Sequence, residues 1–267
     1  MSRTQINSVD GLEFCTKGTV VVVTIDNTVE QNRLTPSAIV KLGQIAEMLP
    51  GRDDLHTVVI RGAGLEYFSA GILNPVLRGR MSKEEVISLV LQTAAVFDAI
   101  EALPQIVIAG LNGIVRAGGV ELALACDIRI AADQARLSLP EAKWGGFPGA
   151  GGPVRLARLV GRARALELIC TGREIDSAQM EKIGFVQKVA RPTEFDQSLR
   201  ELVEEIASSG PLAIRGAKEI MKVSESPGFK AAREISDALR RKLEWSADVD
   251  EGIRAHQEGR KPKFIGR

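Results

Sequence analysis

The segment Asn112-Gly113-Ile114-Val115-Arg116-Ala117-Gly118-Gly119-Val120-Glu121 runs into the apolar stretch Leu122 to Ala125 and decides the fold class of this chain. It reads as a glycine-rich loop opening a helix. The first N–H groups of such a helix lack internal partners and suit an anion or a developing oxyanion. Strand-like runs flank it, Gln105 to Leu111 before and Asp127 to Ala132 after, and strand, loop, helix and strand in that order make an α/β chain. The GKS/T ending and the GxGxxG frame of nucleotide loops are both absent. Glu121 is either a residue favoured by the helix dipole or a working carboxylate.

Working outward, Thr19 to Ile25 is β-branched and short, a buried strand. Thr35 and Pro36 suit the N-cap and first position of a helix whose Ile39, Leu42, Ile45 and Leu49 share one face. His56 to Arg61 returns as strand, and Ser82 with Glu85 forms a capping box for a long helix through Val86, Leu89, Phe97 and Ile100. Beyond Gly152 the pattern turns helical, with a brief apolar run at Phe185 to Val189. A change near Arg191-Pro192 divides an α/β catalytic core, 1–194, from a helical region, 195–267. The amphipathic segments Phe195 to Ile206 and Phe229 to Trp245 are expected to pack on the core or on a neighbouring subunit.

Composition narrows the function classes. Lys+Arg 35 against Asp+Glu 34 leaves a net charge of +1, no field to draw the chain to nucleic acid or anionic lipid. The widely spaced Cys15, Cys126 and Cys170 fit a reduced, cytoplasmic protein. No run reaches the roughly 18 apolar residues of a membrane span. His56 and His256 are the whole histidine complement, which argues against His-based nucleophilic or metal chemistry.

Two further segments can carry chemistry. Tyr67-Phe68-Ser69-Ala70-Gly71-Ile72 follows a strand and is either an ordinary tight turn or one that presents N–H groups to a ligand. Leu139-Pro140-Glu141 precedes the glycines of 145–152, where Trp144 and Phe147 offer apolar walls and Glu141 is functional or merely solvated. Together, two glycine-rich turns supply convergent N–H donors, and two carboxylates can handle a water and a carbon-bound proton. That equipment suits chemistry beside a thioester carbonyl.

In order and spacing the series resembles the enoyl-CoA hydratase/isomerase (crotonase) family: FSAG after the second strand, NG followed by GG-x-E before the CD pair, PE, then G-x-P-G-A-G-G. The resemblance implies an α/β fold, a crotonase-like spiral of repeated ββα units with a C-terminal helical region. It implies an oxyanion hole from the backbone N–H of Ile72 and Gly118, and a catalytic pair on Glu121 and Glu141. Ala70, Gly71, Leu73, Arg116, Trp144, Phe147 and Gly149 would border the substrate pocket. The implied activity is hydration of an α,β-unsaturated acyl-CoA, with Glu121 activating water and Glu141 delivering a proton to the α-carbon. Coenzyme A enters as part of the substrate; no metal or redox cofactor is needed. The implied assembly is a homotrimer or a pair of trimers.

Relatives commonly continue past the FSAG-like turn with Ala-Asp-Leu-Lys, whereas this chain reads Ile72-Leu73-Asn74-Pro75. Where they carry Arg-Pro and a nearby Lys, it has Asn27-Thr28-Val29. Arg116 stands where the loop is more often apolar, and either meets an unusual acyl group or forms a surface ion pair. The alternatives to a hydratase are an isomerase using Glu141, a C–C bond hydrolase, and a non-catalytic binding protein on the same fold.

Overall fold

A computed structural model of the chain describes residues 7–9, 11–225 and 246–267. The chain enters as an antiparallel meander of β1 (Asn7–Val9), β2 (Leu12–Lys17) and β3 (Val20–Ile25). Helix α1 (Pro36–Met48) follows, with the Thr35 hydroxyl accepting the N–H of Ala38 at 3.1 Å as the Thr-Pro pair requires. Its Ala38, Ile39, Leu42 and Ile45 are buried.

One unit then recurs. β4 (Thr57–Gly62), β5 (Tyr67–Ser69), the short α2 (Pro75–Arg78) and α3 (Lys83–Glu101) form its first copy. β6 (Ile106–Leu111), β7 (Ile114–Arg116) and α4 (Gly118–Leu124) form the second. The third comprises β8 (Ile128–Ala132), β9 (Arg136–Ser138), α5 (Gly152–Val160) and α6 (Arg162–Thr171). In each copy the first strand joins a seven-stranded sheet and the second joins a four-stranded one, so the chain winds as a spiral of ββα units. The rest is β10 (Ile175–Asp176), α7 (Ser177–Lys182), β11 (Lys188–Ala190), α8 (Phe195–Ala207), α9 (Pro211–Glu225) and α10 (Ala247–Gln257). The large sheet runs β1-β2-β3-β4-β6-β8-β11, parallel from β3 onward; the small one runs β10-β9-β7-β5.

Alternation along the central strands explains why both faces of the large sheet are covered. Val58, Ile60, Val107 and Ala109 enter the main core with α1 and α3, while Val59, Ile108 and Ile130 point to the other face and meet Phe195 and Leu199 of α8. The capping box at Ser82 closes in both directions, Glu85 N–H to Ser82 Oγ at 3.1 Å and Ser82 N–H to Glu85 Oε2 at 2.7 Å. From α9, Lys218 reaches the carbonyl of Gln105 at 2.8 Å and Asp127 Oδ2 at 2.6 Å, tying the C-terminal helices to the ends of β6 and β8.

Three-residue strands β5, β7 and β9 lie where the sequence reads as loop, because alternation cannot register in so short a run. The apolar run at Phe185 to Val189 becomes strand only from Lys188, and residue 256, expected in a polar tail, belongs to α10. The segment Phe229 to Trp245 lies outside the described residues, apart from which no helix is long and apolar enough to cross a membrane.

Candidate active site

The turn after β5 and the turn after β7 come together because those two strands are neighbours in the small sheet. Gly71 has φ +88°, and a Cβ there would sit 2.8 Å from the nitrogen of Gly118 and 2.9 Å from the carbonyl oxygen of Arg116. Only glycine accommodates both the dihedral and the contact. A Cβ on Gly118 would in turn lie 2.6 Å from Cδ1 of Ile72 and 3.5 Å from its nitrogen. The nitrogens of Ile72 and Gly118 thus stand side by side at the mouth of α4, and among the described residues neither N–H has a protein acceptor.

Both turns are held from behind. The carbonyl of Gly71 accepts the N–H of Leu34 at 2.9 Å, and Ala70 donates to Gln31 at 3.0 Å. Ala117, the N-cap of α4, has φ 52° and ψ −126°, a conformation that costs a non-glycine residue about 1–3 kcal/mol. Its N–H is anchored on the carbonyl of Ser138 at 3.0 Å. The buried Asn112 joins three backbone segments, accepting from Gly62 at 2.9 Å and donating to Gly64 at 2.9 Å and Tyr67 at 3.1 Å.

Glu121 lies in the first turn of α4 and is only 3% exposed. Its Oε1 accepts the N–H of Ala150 at 2.7 Å and that of Gly152, the first residue of α5, at 2.9 Å. Burial pushes its carboxyl up to about 7, against the opposing pull of those two N–H groups and of Arg155. Glu141 sits in a 3-10 turn (Pro140–Trp144), with Oε2 buried and without a partner. Burial again, reinforced by the charge of Glu121, raises it to about 7. Glu141 feels the charge of Glu121, so the two carboxyls titrate as a coupled pair.

A cavity of about 690 Å³ opens onto these groups. Ile72, Leu73, Gly118, Glu121, Glu141, Trp144, Phe147 and Gly149, all expected at the site, line it, and α3 adds Val86, Val90 and Leu91. Trp144 is 39% and Phe147 72% exposed, so both stand at its rim. Ala70 and Gly71 lie behind Ile72 and support the turn instead of lining the cavity. Arg116, expected at the pocket, lies outside the lining: its guanidinium donates to Ser138 Oγ at 3.2 Å and pairs with Glu174 at 3.3 Å. The small-sheet strand that carries it fixes that direction. In the stretch Asn27-Thr28-Val29, the Asn27 amide bonds the carbonyl of Arg33 at 3.1 Å and Val29 is fully exposed.

Two residues went unnoticed in the sequence. Arg155 of α5 is 6% exposed and donates to the carbonyl of Ala150 at 2.9 Å and to Glu101 at 2.8 Å, and it also pairs with Asp98. The one signal available was a lone arginine inside the apolar stripe of α5. Arg78, ending α2, is exposed and lines the cavity, and no local sequence signal sets it apart.

Residues 15–267 match the enoyl-CoA hydratase/isomerase family. A crystal structure of enoyl-CoA hydratase from Bacillus anthracis superposes with a TM-score of 0.93 at 33% identity, covering 97% of this chain and 100% of that one. Carnitinyl-CoA dehydratase of Citrobacter koseri is 34% identical over 266 residues, 97% of this chain and 99% of the relative. Enoyl-CoA isomerase/hydratase of Mycosarcoma maydis is 34% identical over 259 residues, 91% of each chain.

Proposed function

We propose, from the premise that the chain belongs to the enoyl-CoA hydratase/isomerase family, that it adds water across the double bond of an α,β-unsaturated acyl-CoA. One observation carries this reading: two carboxyls raised to about 7 share a cavity with two backbone N–H groups that have no acceptor in the protein. A hydratase needs one base and one acid at the same pH, and a shared proton supplies both.

In this mechanism the thioester oxygen accepts the N–H groups of Ile72 and Gly118. Glu121, ionised and steadied through Oε1, takes a proton from the water whose oxygen bonds to the β-carbon. The electron pair of the double bond moves toward the carbonyl, and the resulting enolate is stabilised by the two N–H groups. Glu141, protonated, gives its proton to the α-carbon. The proton on Glu121 then returns to Glu141 through solvent, and the pair is reset. The thioester is itself the electron sink, so the steps call for no metal or redox group.

The asymmetry of the pair favours a second reading. Glu121 is tethered by two N–H groups while Glu141 Oε2 has none, so Glu141 alone is free to carry a proton between carbons, as in an isomerase. Incubation with crotonyl-CoA in H₂¹⁸O decides the hydratase reading: loss of enoyl absorbance with ¹⁸O in the product is expected. Double-bond migration of a 3-enoyl thioester without ¹⁸O uptake would overturn it. Glu121→Gln and Glu141→Gln are each expected to lose about 10²-fold or more in turnover. We further propose a homotrimer or pair of trimers, a reading supported by the exposed Leu166 and Met221 and checked by light scattering.

A further inference from the structure

Arg78 closes α2 and lines the same cavity as the two carboxyls. A Cβ on Gly146 would lie 3.3 Å from its Nη1, so the guanidinium rests against the backbone of the loop that carries Glu141, whose carbonyl accepts the N–H of Gly146 at 2.9 Å. Its own backbone is fixed by Asn74, which accepts the N–H of Leu77 at its side chain at 2.8 Å and that of Arg78 at its carbonyl at 2.9 Å. Among the described residues no group accepts a hydrogen bond from the guanidinium. Among the described residues no ion pair joins it to Glu141, whose Oε2 is buried without a partner. The wall nearby is aliphatic, from Val86, Val90 and Leu91 of α3.

Arg78 is exposed, so water satisfies its guanidinium until a ligand covers it; a plain alkyl tail doing so would strip that water and return no hydrogen bond. The planar fork of an arginine matches a carboxylate, two N–H groups to two oxygens. We infer that Arg78 is a specificity-determining residue that pairs with a carboxylate at the far end of the acyl group, making enoyl thioesters of dicarboxylic acids the preferred substrates. This rests on the hydratase reading of the cavity. The chemistry recognised is an anionic oxygen group on the thioester, and the coenzyme A phosphates carry the same chemistry. The acyl end is favoured because Arg78 lies against the Glu141 loop and beside the aliphatic wall, where the chain beyond the reacting carbons would run.

The test measures binding of two saturated thioesters of equal length, glutaryl-CoA and pentanoyl-CoA, to the full chain by calorimetry. Wild type is expected to favour glutaryl-CoA by about tenfold or more. In Arg78→Gln that ratio is expected to fall toward one, with Arg78→Lys between. An unchanged ratio in Arg78→Gln, including equal weakening of both thioesters as a phosphate contact would give, overturns the inference. So does a wild-type preference for pentanoyl-CoA, or binding of neither. Hydration of glutaconyl-CoA and crotonyl-CoA is assayed separately. A binding contrast without water addition sinks the hydratase reading alone, and hydration with an unchanged ratio sinks the role of Arg78 alone.

Discussion

The guanidinium of Arg155 holds the carbonyl of Ala150 at 2.9 Å, and the N–H of that same residue holds Glu121 Oε1 at 2.7 Å. A buried cation on α5, itself fixed by Asp98 and Glu101 of α3, therefore sets the position of a carboxylate on α4 through one residue. Neither link is made by an apolar contact, so the loop 149–152 is located by directional bonds between three helices.

Arg155 is accordingly a positioning residue. Arg155→Met is expected to lower kcat for hydration about tenfold or more while KM changes less, because the cavity walls stay and Glu121 loses its alignment. Arg155→Lys, which keeps the charge and can reach one or two of the acceptors, should recover part of the loss. Circular dichroism of each variant separates this from unfolding. Equal changes in kcat and KM, or full activity in folded Arg155→Met, would contradict the positioning role.

The turns around the paired nitrogens predict an order of sensitivity. An alanine at Gly118 meets the far end of the Ile72 side chain, at 2.6 Å from Cδ1, whereas an alanine at Gly71 meets backbone, at 2.8 Å from the nitrogen of Gly118 and 2.9 Å from the carbonyl oxygen of Arg116. A side-chain end can move and a peptide cannot do so cheaply. Gly118→Ala should thus be partly rescued by Ile72→Val, which removes Cδ1 and keeps the N–H, while Gly71→Ala should resist rescue by the same change. Losing one such donor typically lowers turnover about 10²–10³-fold. Turnover of the two glycine variants with one enoyl thioester, each with and without Ile72→Val, measures the order, and rescue of Gly71→Ala by Ile72→Val would refute it.

The tie between α9 and the sheet gives a stability prediction. Lys218 is the shared partner of Asp127 Oδ2 and the Gln105 carbonyl, and the same Oδ2 also accepts the N–H of Val107 at 2.7 Å. Burial raises the Asp127 carboxyl while Lys218 pulls it down. Lys218→Met leaves a partly buried carboxylate without its ion-pair partner and with only Arg129 as a nearby cation, so the variant should melt several degrees below wild type at neutral pH. Asp127→Asn in the same background should recover part of the difference. Thermal denaturation of the single and double variants checks this, and equal melting of all three would exclude it.

The long elements were legible because each carried its own local signal. Thr35-Pro36 and Ser82 with Glu85 cap helices where their chemistry says they must, and the β-branched runs at β3, β4, β6 and β8 need no tertiary partner to be read as strand. The short strands β5, β7 and β9 were not legible, since three residues become strand only when a parallel neighbour supplies the hydrogen bonds. At the site, glycines and carboxylates were visible as residue types in a fixed order. What the sequence does not carry is direction. Arg116 turns to Glu174, Arg155 turns inward to Ala150 and Arg78 lines the cavity, three arginines with three different surroundings.

The last prediction concerns pH, where activity and stability should move in different ways. Glu121 and Glu141 ordinarily ionise near 4.5 and are both raised to about 7. If the working state holds one proton on the pair, turnover should trace a bell centred near pH 7, falling on the acid side as both carboxyls are protonated and on the alkaline side as both ionise. Stability follows from the sign of the shift. The folded protein keeps protons that the unfolded chain has released above about pH 4.5. The favourable contribution is therefore complete below about 4.5 and is lost as pH rises through about 7. Glutamine cannot ionise, so Glu121→Gln and Glu141→Gln should melt above wild type at pH 8, with the gap closing toward pH 4.5 even though both variants are poor catalysts. Melting curves at the two pH values, run beside the pH profile of turnover, test both halves. A gap that widened toward acid would mean that these carboxyls are depressed in the folded protein and that the pair does not share a proton at neutrality.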